Sequence, residues 1–108
     1  MSEENTRTVN GQIEQIGLNV TRGRGIGVLV IFDVADGCGC SITVPVDRAS
    51  EFLEIFKNDD GIDLDGGTYV ESLKGKYVRL TFDSMEPFQG KLVEVGHIVD
   101  DEWYLVNT

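Results

Sequence analysis

One stretch of this chain has clear helical periodicity, and it lies between segments that have the pattern of strands. Four apolar residues recur at the i, i+3, i+4 and i+7 positions of a single helix face: Ala49, Phe52, Leu53 and Phe56. This spacing predicts a short amphipathic helix over residues 48–57, with Asp47 as its N-cap. Elsewhere apolar residues alternate with polar ones or form short runs between glycine-containing turns. The chain is therefore restricted to a mainly β class, a β-rich α+β fold.

The predicted strands flank the helix on both sides. Three precede it and three follow it: residues 8–20, 27–34, 38–46, 76–82, 91–99 and 103–106. In the fourth strand the alternation predicts three residues facing inward and three facing outward: Val78, Leu80 and Phe82 against Tyr77, Arg79 and Thr81. The turns between the strands are predicted at residues 21–25, at Asp36-Gly37 and at Asp100-Asp101.

The first strand changes phase along its length. Its early apolar positions, Val9 and Ile13, are odd, whereas Ile16, Leu18 and Val20 are even. A phase change of one residue within a strand indicates a β-bulge, which we predict beside Gly17. Such a strand is long and bent, and it can serve two sides of a barrel.

Three strands, one helix and two to three further strands are typical of a small OB-like antiparallel barrel, in which the helix closes one end. A small SH3-like barrel and an open antiparallel sheet with one helix are the alternatives. With 108 residues the chain has the length of one domain. We predict a disordered tail at residues 1–7 and a single β-barrel-like domain at residues 8–108.

The charge is strongly acidic, with nineteen acids against nine bases and a net charge of −10. This charge disfavours nonspecific binding to nucleic acid and to anionic membranes. The acids are concentrated in two predicted loops, which form a candidate protein-binding surface: Asp59, Asp60, Asp63, Asp65, Asp100, Asp101 and Glu102. No secretory signal or membrane-spanning run is evident, so a cytoplasmic location is expected.

The sequence offers little for catalysis or for metal binding. Cys38 and Cys40 are expected to be reduced thiols, and with His97 they give three soft ligands where structural zinc usually has four. His97 is expected to be a hydrogen-bonded polar residue on a strand. Because no phosphate-binding loop, dinucleotide fingerprint or nucleophile elbow is present, we predict a protein that is not an enzyme and has no cofactor and no metal.

Four segments resemble small uncharacterised proteins encoded by phages and prophages. They are NGQIEQI (10–16), GIGVLVIFDV (25–34), LKGKYVRLTFD (73–83) and VGHIVDDEWY (95–104). The chain departs from that pattern at DGCGCSITVPVD (36–47), where those proteins carry a longer glycine-rich hairpin. The resemblance implies a viral accessory protein in the host cytoplasm, and it implies no activity and no functional residues.

Three functions compete on this basis. The first is an acidic binding module that inhibits a host defence or nucleic-acid-handling protein by presenting its acids to a basic surface. The second is an OB-type binder of a nucleotide or of single-stranded nucleic acid, through four basic residues: Arg22, Arg24, Arg79 and Lys91. The third is a structural or homo-oligomeric viral protein, with the apolar run Val28–Phe32 and Trp103-Tyr104 pairing between subunits.

Overall fold

The computed structural model describes residues 6–34, 39–86 and 90–106. Six antiparallel strands contain about half of these described residues: β1 Arg7–Thr21, β2 Gly25–Val34, β3 Cys40–Pro45, β4 Tyr77–Phe82, β5 Leu92–His97 and β6 Trp103–Leu105. A short helix, α1 (Ala49–Glu54), and two 3₁₀ turns (Val46–Arg48 and Val70–Leu73) lie between β3 and β4. The element order confirms the prediction of three strands, one helix and three strands.

The strands form one sheet in the order β3-β2-β1-β4-β5-β6. β1 lies at the centre and pairs with β4 over residues 7–12 and with β2 over residues 11–21. Because the two ends of this long strand serve different neighbours, the sheet curls into a half-barrel. The prediction of a small, β-rich antiparallel barrel with one short helix is confirmed.

The predicted bulge is present in β1 but lies earlier than expected. The pairing with β2 shifts register between Ile13 and Gln15, so the extra residue is Glu14 and does not adjoin Gly17. The bulge falls where the apolar phase changes, between Ile13 and Ile16, because the extra residue itself causes that change. Gly17 lies three positions after Glu14, in the regularly paired part of the strand.

The predicted apolar stripe packs onto the sheet, but the helix ends at Glu54 and not at residue 57, and Phe56 lies in the following turn, where backbone bonds span three residues and not four. Phe52 and Phe56 are buried, whereas Ala49 and Leu53 are half-buried against the same core. Phe52 also meets Tyr104 of β6 edge to face, with ring centroids 5.2 Å apart. The helix is thus held against the core of the half-barrel beside β6.

The start of the helix differs from the prediction. Asp47 is not its N-cap, because Asp47 lies inside the 3₁₀ turn Val46–Arg48 and the N-cap position belongs to Arg48. No side-chain hydrogen bond caps either segment. Pro45, with φ −59°, leads directly into the 3₁₀ turn, so helical backbone begins before the predicted position.

The alternation of β4 is confirmed with one exception. Val78, Leu80 and Phe82 are buried, but Thr81, which we expected to face outward, is buried as well. Its hydroxyl hydrogen-bonds to the hydroxyl of Thr8 on β1, 3.0 Å away. This partner lets the polar side chain lie inside the sheet without an unsatisfied group.

The half-barrel is open between β3 and β5. A groove of about 600 Å³ lies there, lined by β3 residues on one side and by the end of β4 and the start of β5 on the other. Of the predicted tail, residues 1–5 lie outside the described residues, and Arg7 belongs to β1, opposite Phe82. The predicted turn at Asp36-Gly37 also lies outside them. In the part of the chain that is described, no helix is long and apolar enough to cross a membrane.

Candidate functional site

The two acidic loops that the sequence singled out lie side by side. One follows α1 at residues 55–69, and the other joins β5 to β6 at residues 98–102. Asn58 Nδ2 donates a hydrogen bond to Asp100 Oδ2 (3.2 Å), and Lys57 Nζ lies 3.5 Å from Glu102 Oε2. Acids that are some 40 positions apart in the chain therefore share one end of the molecule.

A buried histidine joins the first loop to the sheet. His97, the last residue of β5, is buried, and its Nε2 lies 2.7 Å from Asp59 Oδ1. The other carboxylate oxygen of Asp59 accepts a hydrogen bond from Lys76 Nζ at 2.9 Å. Asp59 is thus held by His97, at the end of β5, and by Lys76, the residue just before β4.

The same histidine also shapes the second loop. Its Nδ1 accepts hydrogen bonds from the backbone N–H groups of Val99 (3.0 Å) and Asp100 (2.9 Å). An unprotonated Nδ1 accepts these bonds, and a protonated Nε2 donates to Asp59, so the contacts select one neutral tautomer. Both ring nitrogens are therefore engaged within the protein, as expected for a hydrogen-bonded polar residue.

The electrostatics of Asp59 follow from this arrangement. Partial burial disfavours its charged form, but the hydrogen bonds from His97 and Lys76, together with the positive charge of Lys76, outweigh burial and lower the pKa of Asp59 below its ordinary value. Asp59 is therefore an anionic anchor inside the protein, although the sequence predicted it as part of the binding surface.

Arg79 supports the second loop from the sheet. Its Nε donates to the carbonyl of His97 (2.7 Å) and its Nη2 donates to the carbonyl of Asp100 (2.8 Å). The guanidinium lies over the ring of Trp103, 4.5 Å from the centroid. Trp103 Nε1 in turn donates to Asp101 Oδ1 at 2.9 Å.

The remaining acids lie on the outside of these two loops. We call them the acidic face: Asp60, Asp63, Asp65, Asp100, Asp101 and Glu102. Asp63 Oδ1 accepts from the backbone N–H groups of Asp65 and Gly66, so the first loop is also braced from within. Asp60 and Asp65 are exposed, and their carboxylates have no hydrogen bond or ion pair with another described residue.

Large apolar side chains protrude among these acids. The exposed fraction is 86% for Tyr69, 78% for Val99 and 41% for Leu64. The sequence analysis did not single out these residues. Val99 was predicted to be the last residue of the fifth strand, and the pattern of residues 68–74 does not identify a strand or a helix. The turn that His97 caps ends β5 before Val99 and directs the chain outward.

The four basic residues of the alternative ligand site lie in three separate places. Arg22 and Arg24 are exposed in the β1–β2 turn. Arg79 is hydrogen-bonded to the loop at residues 98–102 and to His97. Lys91 is exposed just before Leu92, the first residue of β5. Phe32, the aromatic residue that β2 offers for stacking on a base, is fully buried. The structure does not assemble these groups into one surface.

The candidate metal ligands are not brought together either. Cys40 is half-buried at the start of β3, His97 is engaged at the end of β5, and Cys38 lies outside the described residues. Within residues 6–34, 39–86 and 90–106, no group of three or more potential metal-binding side chains is present.

Similarity to known proteins does not assign a role to this site. The resemblance to phage-encoded proteins therefore stays a prediction, and the function has to be argued from the geometry. Comparisons of the chain with protein-family models, with curated proteins and with solved structures found no match.

Proposed function

We propose that this protein is a non-enzymatic binding module that presents its acidic face to a basic groove on a nucleic-acid-handling protein. The partner would be one whose groove normally receives the phosphate backbone, so that the acidic face competes with nucleic acid for it. A phage accessory protein that blocks a host defence factor is the biological setting that the strand resemblance favours.

The observation that carries the proposal is the rigid attachment of the acidic loops. Loops whose only role is to keep the protein surface hydrated need no hydrogen bonds that fix their position. Here hydrogen bonds of Asp59, His97 and Arg79 fix both loops to the sheet. Acids held in place lose less conformational entropy on binding than acids on mobile chains. The surface is therefore preorganised for a partner.

The apolar residues on the same loops support a protein partner. Interfaces obtain much of their affinity from a few aromatic or apolar anchors, and charges contribute mainly to steering and specificity. Tyr69 and Val99 are exposed on the same two loops as the acids, and tyrosine is one of the residue types enriched at such anchors. An acidic rim with apolar anchors fits a protein groove better than a small anion.

The chemistry of the loop cluster supports a role other than catalysis. A general base needs a nitrogen or oxygen that reaches a substrate, but both nitrogens of His97 are occupied and the ring is buried. Asp59 is likewise occupied by His97 and Lys76. These groups stabilise the loops.

The test compares three immobilised proteins in a bacterial extract at low salt. They are the wild type, a face variant (D60N/D65N/D101N) and a control variant (D33N/D47N/E86Q). The two variants lose three negative charges each, and the control acids are exposed outside the two loops. We expect the wild type and the control variant to retain the same protein in stoichiometric amount, and the face variant to lose it.

Moderate salt should release the retained protein, because screening weakens exposed charge pairs. Equal retention of this protein by the two variants would show that binding depends on net charge and not on the acidic face. Retention of nucleic acid or nucleotide without protein would refute the proposal in favour of the ligand-binding alternative.

A further inference from the structure

The second half of β1 has an unpaired edge. Pairing with β4 ends at Gln12, and Ile13 still exchanges backbone hydrogen bonds with Gly75 and Lys76. From Glu14 to Thr21 this side of the strand has no backbone hydrogen bond to any residue that the structure describes. A groove of about 360 Å³ lies beside it, lined by residues 15–19, by Leu29 and Ile31 of β2, and by Glu71 and Lys74.

Over residues 15–21 the strand itself lacks two features that normally prevent strands from pairing between molecules, a charged side chain and a proline. Residues 15–21 read QIGLNVT, which is seven residues without a charge or a proline in a chain with a net charge of −10. Native edge strands are usually protected by lysine, by proline or by a covering segment. An uncharged, unpaired edge in so acidic a protein therefore indicates a contact surface.

Apolar side chains protrude along the same stretch. Leu18 and Val20 are 72% and 73% exposed, and Ile26, which lies opposite Val20 on β2, is 55% exposed. They share the face of Ile16 and Val28, which pack into or against the core. The core-facing stripe of the β1–β2 hairpin thus extends beyond the core into solvent.

We propose that the β1 edge pairs antiparallel with the β1 edge of a second copy of this chain, around a two-fold axis at Leu18. In this register the residue numbers of each pair sum to 36. The apolar face then pairs Leu18 with the partner's Leu18, and Ile16 with the partner's Val20. The polar face pairs Gln15 with the partner's Thr21.

Charge complementarity at the ends of the paired segment selects this register. Glu14 is the acid that precedes the uncharged stretch and Arg22 is the base that follows it, and both are exposed. Around an axis at Leu18, Glu14 lies beside the partner's Arg22, and the symmetry repeats this pair at the other end. The contact is small, so the dimer forms in a concentration-dependent equilibrium.

The inference does not depend on the proposed function, because the acidic face and the β1 edge share no residue. Sedimentation equilibrium over a range of concentrations, at a moderate salt concentration that screens the net charge of −10, tests it directly. The wild type should be a reversible dimer. L18K, which places two like charges at the axis, should weaken it by tenfold or more, whereas V99K, a matched change of an exposed apolar residue, should not.

The register is tested by a mixture of two charge variants. E14R and R22E should each dimerise about tenfold more weakly than the wild type, because each homodimer has like charges at both ends. When E14R and R22E are mixed, opposite charges meet at both ends, and a heterodimer should form with near wild-type affinity. This recovery cannot come from a variant that fails to fold.

Three results would overturn the proposal. One is a wild type that is monomeric at every concentration. Another is a dimer that L18K and V99K affect equally, which would place the contact on another surface. The third is a mixture of E14R and R22E that is no more dimeric than either variant alone, which would exclude the two-fold register at Leu18.

Discussion

At the scale of single residues, the sequence located the acids but not their roles. Asp59 and Asp60 are neighbours with the same side chain, yet Asp59 is held by His97 and Lys76 whereas Asp60 faces solvent. The contact between Asp59 and His97 spans 38 positions of the chain, and no local pattern encodes such a distance. The position of His97 on a strand was predictable, but its partner was not.

Replacing Asp59 by Asn tests the anchor. D59N removes the negative charge and replaces one of the two carboxylate oxygens that contact His97 and Lys76 by an NH2 group. We therefore expect the free energy of unfolding at neutral pH to fall by about 1–3 kcal/mol. Because folding lowers the pKa of Asp59, its stabilisation is present above the unfolded value of about 3.9 and is lost as the pH falls through the lower folded value. The difference between wild type and D59N should therefore shrink in acid. Urea unfolding at a series of pH values measures it.

D60N is the matched control for this prediction. Because Asp60 is exposed and has no partner among the described residues, its replacement should change the unfolding free energy by less than about 0.5 kcal/mol. If D59N and D60N had equal effects, or if the effect of D59N were the same at every pH, Asp59 would not be an anchor.

At the scale of elements, periodicity predicted most of the strands and the helix. The phase change in β1 correctly indicated a bulge, because an extra residue exchanges the two faces of a strand. The predicted position of the bulge beside Gly17 was wrong, since the register shifts at Glu14. Gly17 is not required by packing either, because a Cβ there would have nothing within 4 Å. The sequence analysis did not predict the 3₁₀ turn before the helix, which follows directly on Pro45. It also did not predict the burial of Thr81, which depends on the hydroxyl of Thr8.

Gly96 on β5 is a position where the structure requires glycine. Its partner on β6 is Trp103, and a Cβ on Gly96 would lie 2.6 Å from two ring atoms of that residue. We expect G96A to displace Trp103 from Arg79 and to cost about 1–3 kcal/mol of unfolding free energy, with a change in tryptophan fluorescence. G17A, the control, should be neutral or stabilising by up to about 1 kcal/mol. Equal stability of G96A and G17A would contradict the packing described for this loop.

At the scale of the whole molecule, composition predicted the class and the acidity, and the order of elements predicted the barrel. Neither could show that the loops at residues 55–69 and 98–102 converge, because that depends on the pairing of β4 with β5 and on the contacts of Asn58 and Lys57. The proposed function rests on this convergence. The sequence also could not show that Arg22 and Lys91 lie far apart, at opposite ends of the sheet.

The most direct test of the account is the displacement of proteins from DNA-cellulose. A bacterial extract is bound to the resin at low salt and is then eluted with the wild type, with D60N/D65N/D101N or with D33N/D47N/E86Q. We predict that the wild type and the control variant release the same nucleic-acid-binding protein in stoichiometric amount, and that the face variant releases at least tenfold less. Release of nothing by the wild type, or equal release by the two variants, would contradict the claim that the acidic face competes with nucleic acid for a basic groove.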